Sequence, residues 1–270
     1  MNKLVRIARL ELQITSKCNL SCRGCAHFSP LQDWELPLQE ISDDLQLASN
    51  FLVPDEVRLN GGEPFLHDKI FEAVESIYDY FSINTQISIA TNGTQLFLFK
   101  DRIAELYEKY PLFYLIITPH GRGYDRNLVN MRDWLTAEGF KYDYVEKRFA
   151  DMPLISLSEE RDFSVNCPPR HNKVVHKGKL YRCPRHAARM LFLHYGKKDG
   201  TPIHDDYYKK LAPFAGLDLS SANLTAVREY LHLYPFAECN LCETYLEYME
   251  QSQAPPAYWA QISNHLSKPL

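Results

Sequence analysis

Long apolar runs are missing from this sequence. No stretch approaches the roughly 18 consecutive apolar residues that a membrane helix needs. The N-terminus, Met1-Asn2-Lys3-Leu4-Val5-Arg6-Ile7-Ala8-Arg9, is broken by charge too often to hold a signal-peptide core. A surplus of positive charge is missing too. The 34 acidic side chains outnumber the 30 basic ones, for a net charge of −4, so nothing electrostatic favours nucleic acid or an anionic membrane as main partner. Cysteine is scarce: seven in 270 residues, an odd number spread over a chain far larger than a disulfide mini-domain. That usage fits a reducing compartment, and the expected location is the cytoplasm. Internal repeats and low-complexity segments are lacking as well. What remains, 45% hydrophobic and 24% charged, is an ordinary globular composition, long enough for one large core with a small appended domain.

Hydrophobic periodicity then organises the first half. Ala8, Leu10, Leu12 and Ile14 alternate with Arg9, Glu11 and Gln13, so residues 8–14 read as a strand entering a core. Leu38, Ile41, Leu45, Ala48 and Leu52 recur at spacings of three and four and predict an amphipathic helix over 38–52. Strands are expected at 57–59, ending in Gly61-Gly62, at 87–90, closed by Asn92-Gly93, and at 114–117, closed by Pro119 and Gly121. Helices over 69–81, 102–110 and 126–137 and a strand near 141–146 complete the alternation. Such a pattern predicts a parallel sheet with right-handed crossovers. Five or six units are too few for a closed eight-stranded barrel, so an open, partial barrel is expected.

The pattern changes near residue 150. Pro153, Pro168 and Pro169 interrupt it, and Val174-Val175 and Lys179-Leu180-Tyr181 flank Lys177-Gly178 as a β-hairpin would. A helix near 222–233 leads into Cys239-Asn240-Leu241-Cys242, and a tail holding Pro255 and Pro256 reads as peripheral, with one short helix. The expected domains are 1–150, then 151–250, cysteine-bearing and organised by a metal centre, then the tail 251–270.

The cysteines carry the chemistry. Cys18, Cys22 and Cys25 form C-x3-C-x2-C in the loop after the first strand. Three thiolates so close together converge on one centre and leave its fourth position open. A structural zinc wants four ligands, and His27 is too near in sequence to be a regular fourth. A [4Fe–4S] cluster with one open iron fits better. Zinc, or simple burial, stays open on spacing alone.

Gly61-Gly62-Glu63-Pro64 also follows a strand. A C-x3-C-x2-C loop followed by a strand-terminal GGEP resembles the radical S-adenosylmethionine (SAM) enzymes, over at least residues 7–147. That resemblance implies a partial (β/α)6 TIM-like barrel. It also implies that Cys18, Cys22 and Cys25 ligate a cluster whose open iron takes SAM's amino and carboxylate groups. Gly61, Gly62, Glu63 and Pro64 would hold the amino group, the glycines by letting backbone approach the ligand and Glu63 by accepting from an ammonium. Thr91, Asn92 and Thr118, at strand ends on the rim of the sheet, would contact the ribose and carboxylate. Relatives usually carry an aromatic residue before the third cysteine, where this chain has Gly24, and Phe28 is the candidate to replace it at the adenine.

Cys167, Gly178, Cys183, a helix, then Cys239 and Cys242 resemble the twitch domain, a shortened SPASM domain. The resemblance implies that these four cysteines hold one auxiliary [4Fe–4S] cluster, making two clusters in all; a four-thiolate zinc is the alternative.

In this family one electron, from a flavodoxin- or ferredoxin-type donor, cleaves SAM to a 5′-deoxyadenosyl radical that takes a hydrogen atom from an unactivated carbon. With an auxiliary cluster to accept an electron, the pattern is closest to twitch-containing dehydrogenases that oxidise an alcohol on an aminocyclitol. The expected substrate is therefore a small polar molecule such as a sugar, cyclitol or nucleoside. His120 is the candidate base. Peptide modification is the alternative substrate class. Epimerisation is disfavoured, since all seven cysteines are assigned and no thiol is left to return a hydrogen atom. A zinc-stabilised binding module is the non-enzymatic reading.

Overall fold

In a computed structural model the protein is described over residues 4–120, 125–145, 148–149, 171–232, 239, 249–250 and 253–269. Alternating apolar and polar residues, side chains pointing to opposite faces, produce the strands β1 (Val5–Thr15), β2 (Leu52–Gly61), β3 (Gln86–Thr91), β4 (Phe113–Ile117) and β5 (Tyr142–Tyr144). Between them lie α1 (Leu38–Ser49), α2 (Ile70–Tyr80), α3 (Lys100–Lys109) and α4 (Arg126–Ala137). The helix over 126–137 starts and stops where its pattern predicts, and Asp125 caps it by accepting from Asn127 N at 3.0 Å and Leu128 N at 3.3 Å. Adjacent strands from β1 to β5 are parallel. Leu10, Leu12, Leu59, Ile87 and Leu115 on one sheet face pack with Ile41 and Leu45 of α1 and with Val74 and Ile77 of α2 in the main core.

β2 is longer than the 57–59 expected, in spite of Pro54. The proline lies where β2 pairs with β1 alone, because β3 joins only at Glu56, so no second ladder needs its missing N–H.

The rest of the chain contributes β6 (Arg148–Phe149), β7 (Asn172–His176), β8 (Lys179–Tyr181), β9 (Leu217–Asp218) and β10 (Met249–Glu250). Its helices are α5 (Pro184–Tyr195), α6 (Asp205–Leu211), α7 (Leu224–His232) and α8 (Pro256–Leu266). The expected hairpin forms from β7 and β8, with Lys177 and Gly178 both at positive φ in its two-residue turn. Asp44 of α1 accepts from both turn N–H groups, at 2.8 and 2.6 Å. β7 then pairs in parallel with β1 on the edge away from β2, giving one mixed eight-stranded sheet in the order β5-β4-β3-β2-β1-β7-β8-β9. The fold is a mixed α/β partial barrel of the TIM-like kind. The region where a sixth β/α unit would follow β5 lies mostly outside the described residues.

Two features were not anticipated. Pro184 opens α5 as its first residue, where a proline costs no hydrogen bond. The tail is not peripheral: Trp259 and Leu266 of α8 are buried with Phe28, Phe192 and Tyr207 in a second core. Among the described residues no helix is long and apolar enough to cross a membrane.

Candidate active site

The C-terminal ends of β1 to β4 meet on one rim, and four segments leave them. The first is the cysteine loop. Its base is pinned where Thr15 Oγ1 and Ser16 N donate to Trp34 O, at 3.0 and 2.9 Å, and Trp34 N donates to Ser16 Oγ at 2.7 Å. The loop therefore leaves and re-enters the fold at one point and projects its cysteines from the rim. Gly24 sits at φ 66, a left-handed conformation that strains a side-chain-bearing residue. This accounts for the aromatic residue missing before Cys25.

Gly61 and Gly62 do allow a close approach, but to the cysteine loop itself. A Cβ on Gly61 would lie 2.1 Å from Thr15 O, and one on Gly62 would lie 2.2 Å from Lys17 O. In the space so left, Gly62 N donates to Thr15 O and Glu63 N to Lys17 O, each at 2.8 Å. The paired glycines thus lock the two motifs together.

Glu63 is fully buried. Its carboxylate accepts from Thr91 Oγ1 at 2.7 Å, Asn92 N at 2.7 Å and Phe65 N at 3.1 Å. Burial pushes its carboxyl up to about 7, although those three donors pull it down. Asn92 reaches on: its Nδ2 lies 3.9 Å from Cys18 Sγ and donates to Asn19 Oδ1 at 3.0 Å. Thr118 N donates to Thr91 O at 2.9 Å, which brings the end of β4 alongside. His120 follows at φ 52, a strained backbone for a non-glycine residue; Gly121 lies outside the described residues.

The three thiols share one neighbourhood. Burial raises Cys18 to about 12, with added repulsion from Cys25, Glu63 and Cys22, and burial raises Cys22 to about 11, with repulsion from Cys25. N–H donors already face the sulfurs: Leu20 N lies 3.4 Å from Cys18 Sγ and Gln253 Nε2 lies 3.5 Å from Cys22 Sγ. Among the described residues no three cysteine, histidine or acidic side chains converge on a single-ion point. Three thiols in one loop, with N–H donors directed at the sulfurs of Cys18 and Cys22, suit an iron–sulfur cluster, whose binding turns thiols into thiolates.

The other expected residues are placed unevenly. Phe28, the candidate for adenine, is 2% exposed, and its ring lies tilted by 33° against that of Phe192 with centroids 4.9 Å apart. Cys183 precedes α5 as its N-cap, and Cys239 is half-buried. Cys167 and Cys242 lie outside the described residues. Gln253, Asn19 and Ser16 were not anticipated. Each acts through a long-range contact that no local pattern announces.

Comparison with known proteins adds the following. Residues 12–132 match the radical SAM superfamily. A probable GTP 3′,8-cyclase of Methanothermobacter marburgensis is 39% identical over 92 residues, 33% of this chain and 29% of that protein. An S-adenosylmethionine-dependent nucleotide dehydratase of Selenomonas ruminantium is 34% identical over 104 residues, 38% of this chain and 36% of that protein. The chain thus spans about a third of the length of these curated relatives. The crystal structure of BtrN in complex with AdoMet and 2-DOIA superposes with a TM-score of 0.54 at 17% identity, covering 90% of this chain and 94% of that one.

Proposed function

The chain carries a radical SAM domain over residues 12–132, and from that premise we propose that it is a radical SAM oxidoreductase that dehydrogenates a small polar substrate such as a sugar or cyclitol. The observation that carries the reading is the union of the two motifs: the C-x3-C-x2-C loop is held on Gly61 and Gly62, and Glu63 lies buried beneath it. Cys18, Cys22 and Cys25 would ligate the [4Fe–4S] cluster. When bound, cluster and SAM supply one-electron cleavage and a hydrogen-atom abstraction.

This chain's residues do the placing. Glu63 keeps Thr91 and Asn92 in register with the cysteine loop. Its one remaining acceptor position can face an ammonium, which would draw the carboxyl back to its ionised form. Asn92 and Gln253 direct N–H groups at the sulfurs of Cys18 and Cys22, and Thr118 is proposed to contact SAM from the end of β4. Glu63 and Thr91 are buried, which keeps water from the centre of the site.

Oxidising a carbinol to a carbonyl removes one hydrogen atom, one proton and one electron. The hydrogen atom leaves through the SAM chemistry. His120 is the proposed base for the hydroxyl proton. The electron needs an acceptor, and Cys167, Cys183, Cys239 and Cys242 are proposed to hold that second cluster. The fold likeness to BtrN, a structure in complex with AdoMet and 2-DOIA, over 90% of the chain supports a fold that seats SAM with a small molecule. The matches to the nucleotide enzymes cover too little of either protein to carry a substrate across. A flavodoxin- or ferredoxin-type protein would deliver the first electron.

Iron and acid-labile sulfide in anaerobically purified protein test the proposal. About eight irons per chain are expected for two four-iron clusters. Zinc without iron would leave only the zinc-stabilised binding module.

A further inference from the structure

The sheet face opposite the main core carries polar residues in rows. Strand register places Glu11 beside Arg58, Arg58 beside Ser88, and Gln13 beside Asn60. Most of this lining is already satisfied. Glu56 takes Arg9 Nε and Arg58 Nη2, both at 2.7 Å, and accepts from Ser88 as well. Glu11 accepts from Asn60 Nδ2 at 2.8 Å and from Asn172 Nδ2 at 2.6 Å. Two guanidiniums and two carboxylates therefore balance, and the guanidiniums are engaged.

One atom is left over. Asn60 is 7% exposed, and its Oδ1 has no hydrogen-bond partner among the described residues. Its Nδ2 is committed to Glu11, which fixes the amide so that the oxygen points away from the carboxylate. A buried carbonyl oxygen without a donor is costly to keep unless something else supplies one. Asn60 directly precedes Gly61-Gly62, so the oxygen lies one residue below the rim where the cysteine loop is held. The register that pairs Leu59 with Ile89 puts Ala90 next to Asn60, and Ala90 is a small, half-buried side chain. A partly solvent-accessible small side chain and a buried, unused acceptor thus adjoin.

We propose that Asn60 Oδ1 is a specificity-determining acceptor for a hydroxyl of an uncharged, hydroxyl-rich substrate seated over Ala90 on this face. The inference rests on the radical SAM reading for the position of the reacting carbon above it, and it names the substrate class of that same site. A hydroxyl suits the socket because the acceptor is neutral and the nearby charges cancel. A phosphate would find Arg9 and Arg58 already paired with Glu56.

The test titrates anaerobically purified holoenzyme with SAM, without reductant, by calorimetry. The probes are myo-inositol, glucose and sorbitol, with myo-inositol monophosphate and AMP as anionic counterparts. The wild type should bind at least one of the first three and prefer it to both phosphates, a result that needs no variant. Asn60→Ala should weaken that binding about tenfold or more, as loss of a buried polar contact to a hydroxyl does. Ala90→Leu should do the same by filling the socket while leaving the charged network alone. Preference for a phosphate, no binding of any of the three, or unchanged affinity in Ala90→Leu would overturn the proposal. Formation of 5′-deoxyadenosine after reduction is scored separately: its absence removes the radical reading, whereas a lost polyol preference removes only this one.

Discussion

Gln253 meets Cys22 from 231 positions away: its Nε2 lies 3.5 Å from Cys22 Sγ, while its Oε1 accepts from Ser21 N at 2.7 Å. Ala254 N adds a bond to Ser21 O at 2.6 Å, and Cys22 and Gln253 form a short antiparallel bridge. The end of the chain therefore closes over the loop that carries the first three cysteines, and α8 buries Trp259 beside Phe28 to keep it there.

Gln253→Met keeps the length of the side chain and removes the N–H donor to sulfur together with the acceptor for Ser21 N. An N–H directed at a ligating sulfur eases reduction, so the loaded cluster of the variant should have a more negative midpoint. Activity should fall about tenfold, the lower range for outer-shell changes. A redox titration followed by electron paramagnetic resonance checks the direction.

Gly62→Ala should be severe. Its Cβ would lie 2.2 Å from Lys17 O and 2.5 Å from Ser16 O, both backbone atoms that cannot swing aside. The loop must separate from β2, at a cost of about 3 kcal/mol, the upper range for single substitutions. Urea unfolding and the iron content of the purified variant measure the two consequences. Normal values for both would show that the glycines serve something other than joining the motifs.

His176 sets a pH dependence of stability. Burial first, then the charges of Lys177 and His194, push its imidazole from an ordinary 6.5 down to about 3. The folded state keeps it neutral while the unfolded chain protonates it. Its contribution is therefore complete above pH 6.5 and is lost as pH falls toward 3. At pH 5 the loss from this residue is about 2 kcal/mol, at roughly 1.4 kcal/mol per pH unit. The urea midpoint of the wild type should drop between pH 7 and pH 5 by more than that of His176→Phe. Equal drops would place the pH sensitivity elsewhere.

How much of this was legible beforehand follows from the range of the forces involved. Local periodicity announced β1 through α4, because a strand or helix with one buried face repeats its apolar residues every two or three to four positions. The C-x3-C-x2-C and GGEP segments were readable for the same reason, each being contiguous. Long-range pairing was not. Nothing near Asn172 says that β7 will join the free edge of β1, or that Gln253 will reach Cys22. Phe28 is a further case: its burial against Phe192 of α5 depends on a contact far along the chain that no local signal announces.

Cys239→Ala separates cleavage from oxidation. If Cys239 helps to hold the electron acceptor, the variant should still form 5′-deoxyadenosine but yield far less carbonyl product per nucleoside. Liquid chromatography of both compounds in one anaerobic reaction gives the ratio. A ratio equal to that of the wild type would remove the acceptor role from this cysteine.

The central claim, hydrogen-atom abstraction followed by oxidation, is met most directly by isotope transfer. Reduced enzyme is given SAM and a polyol that it binds, deuterated at its carbinol carbons, and the nucleoside and carbonyl products are analysed by mass spectrometry. The account predicts 5′-deoxyadenosine carrying one deuterium for each carbonyl formed. Carbonyl product with unlabelled nucleoside, or no nucleoside at all from iron-loaded enzyme, would contradict it.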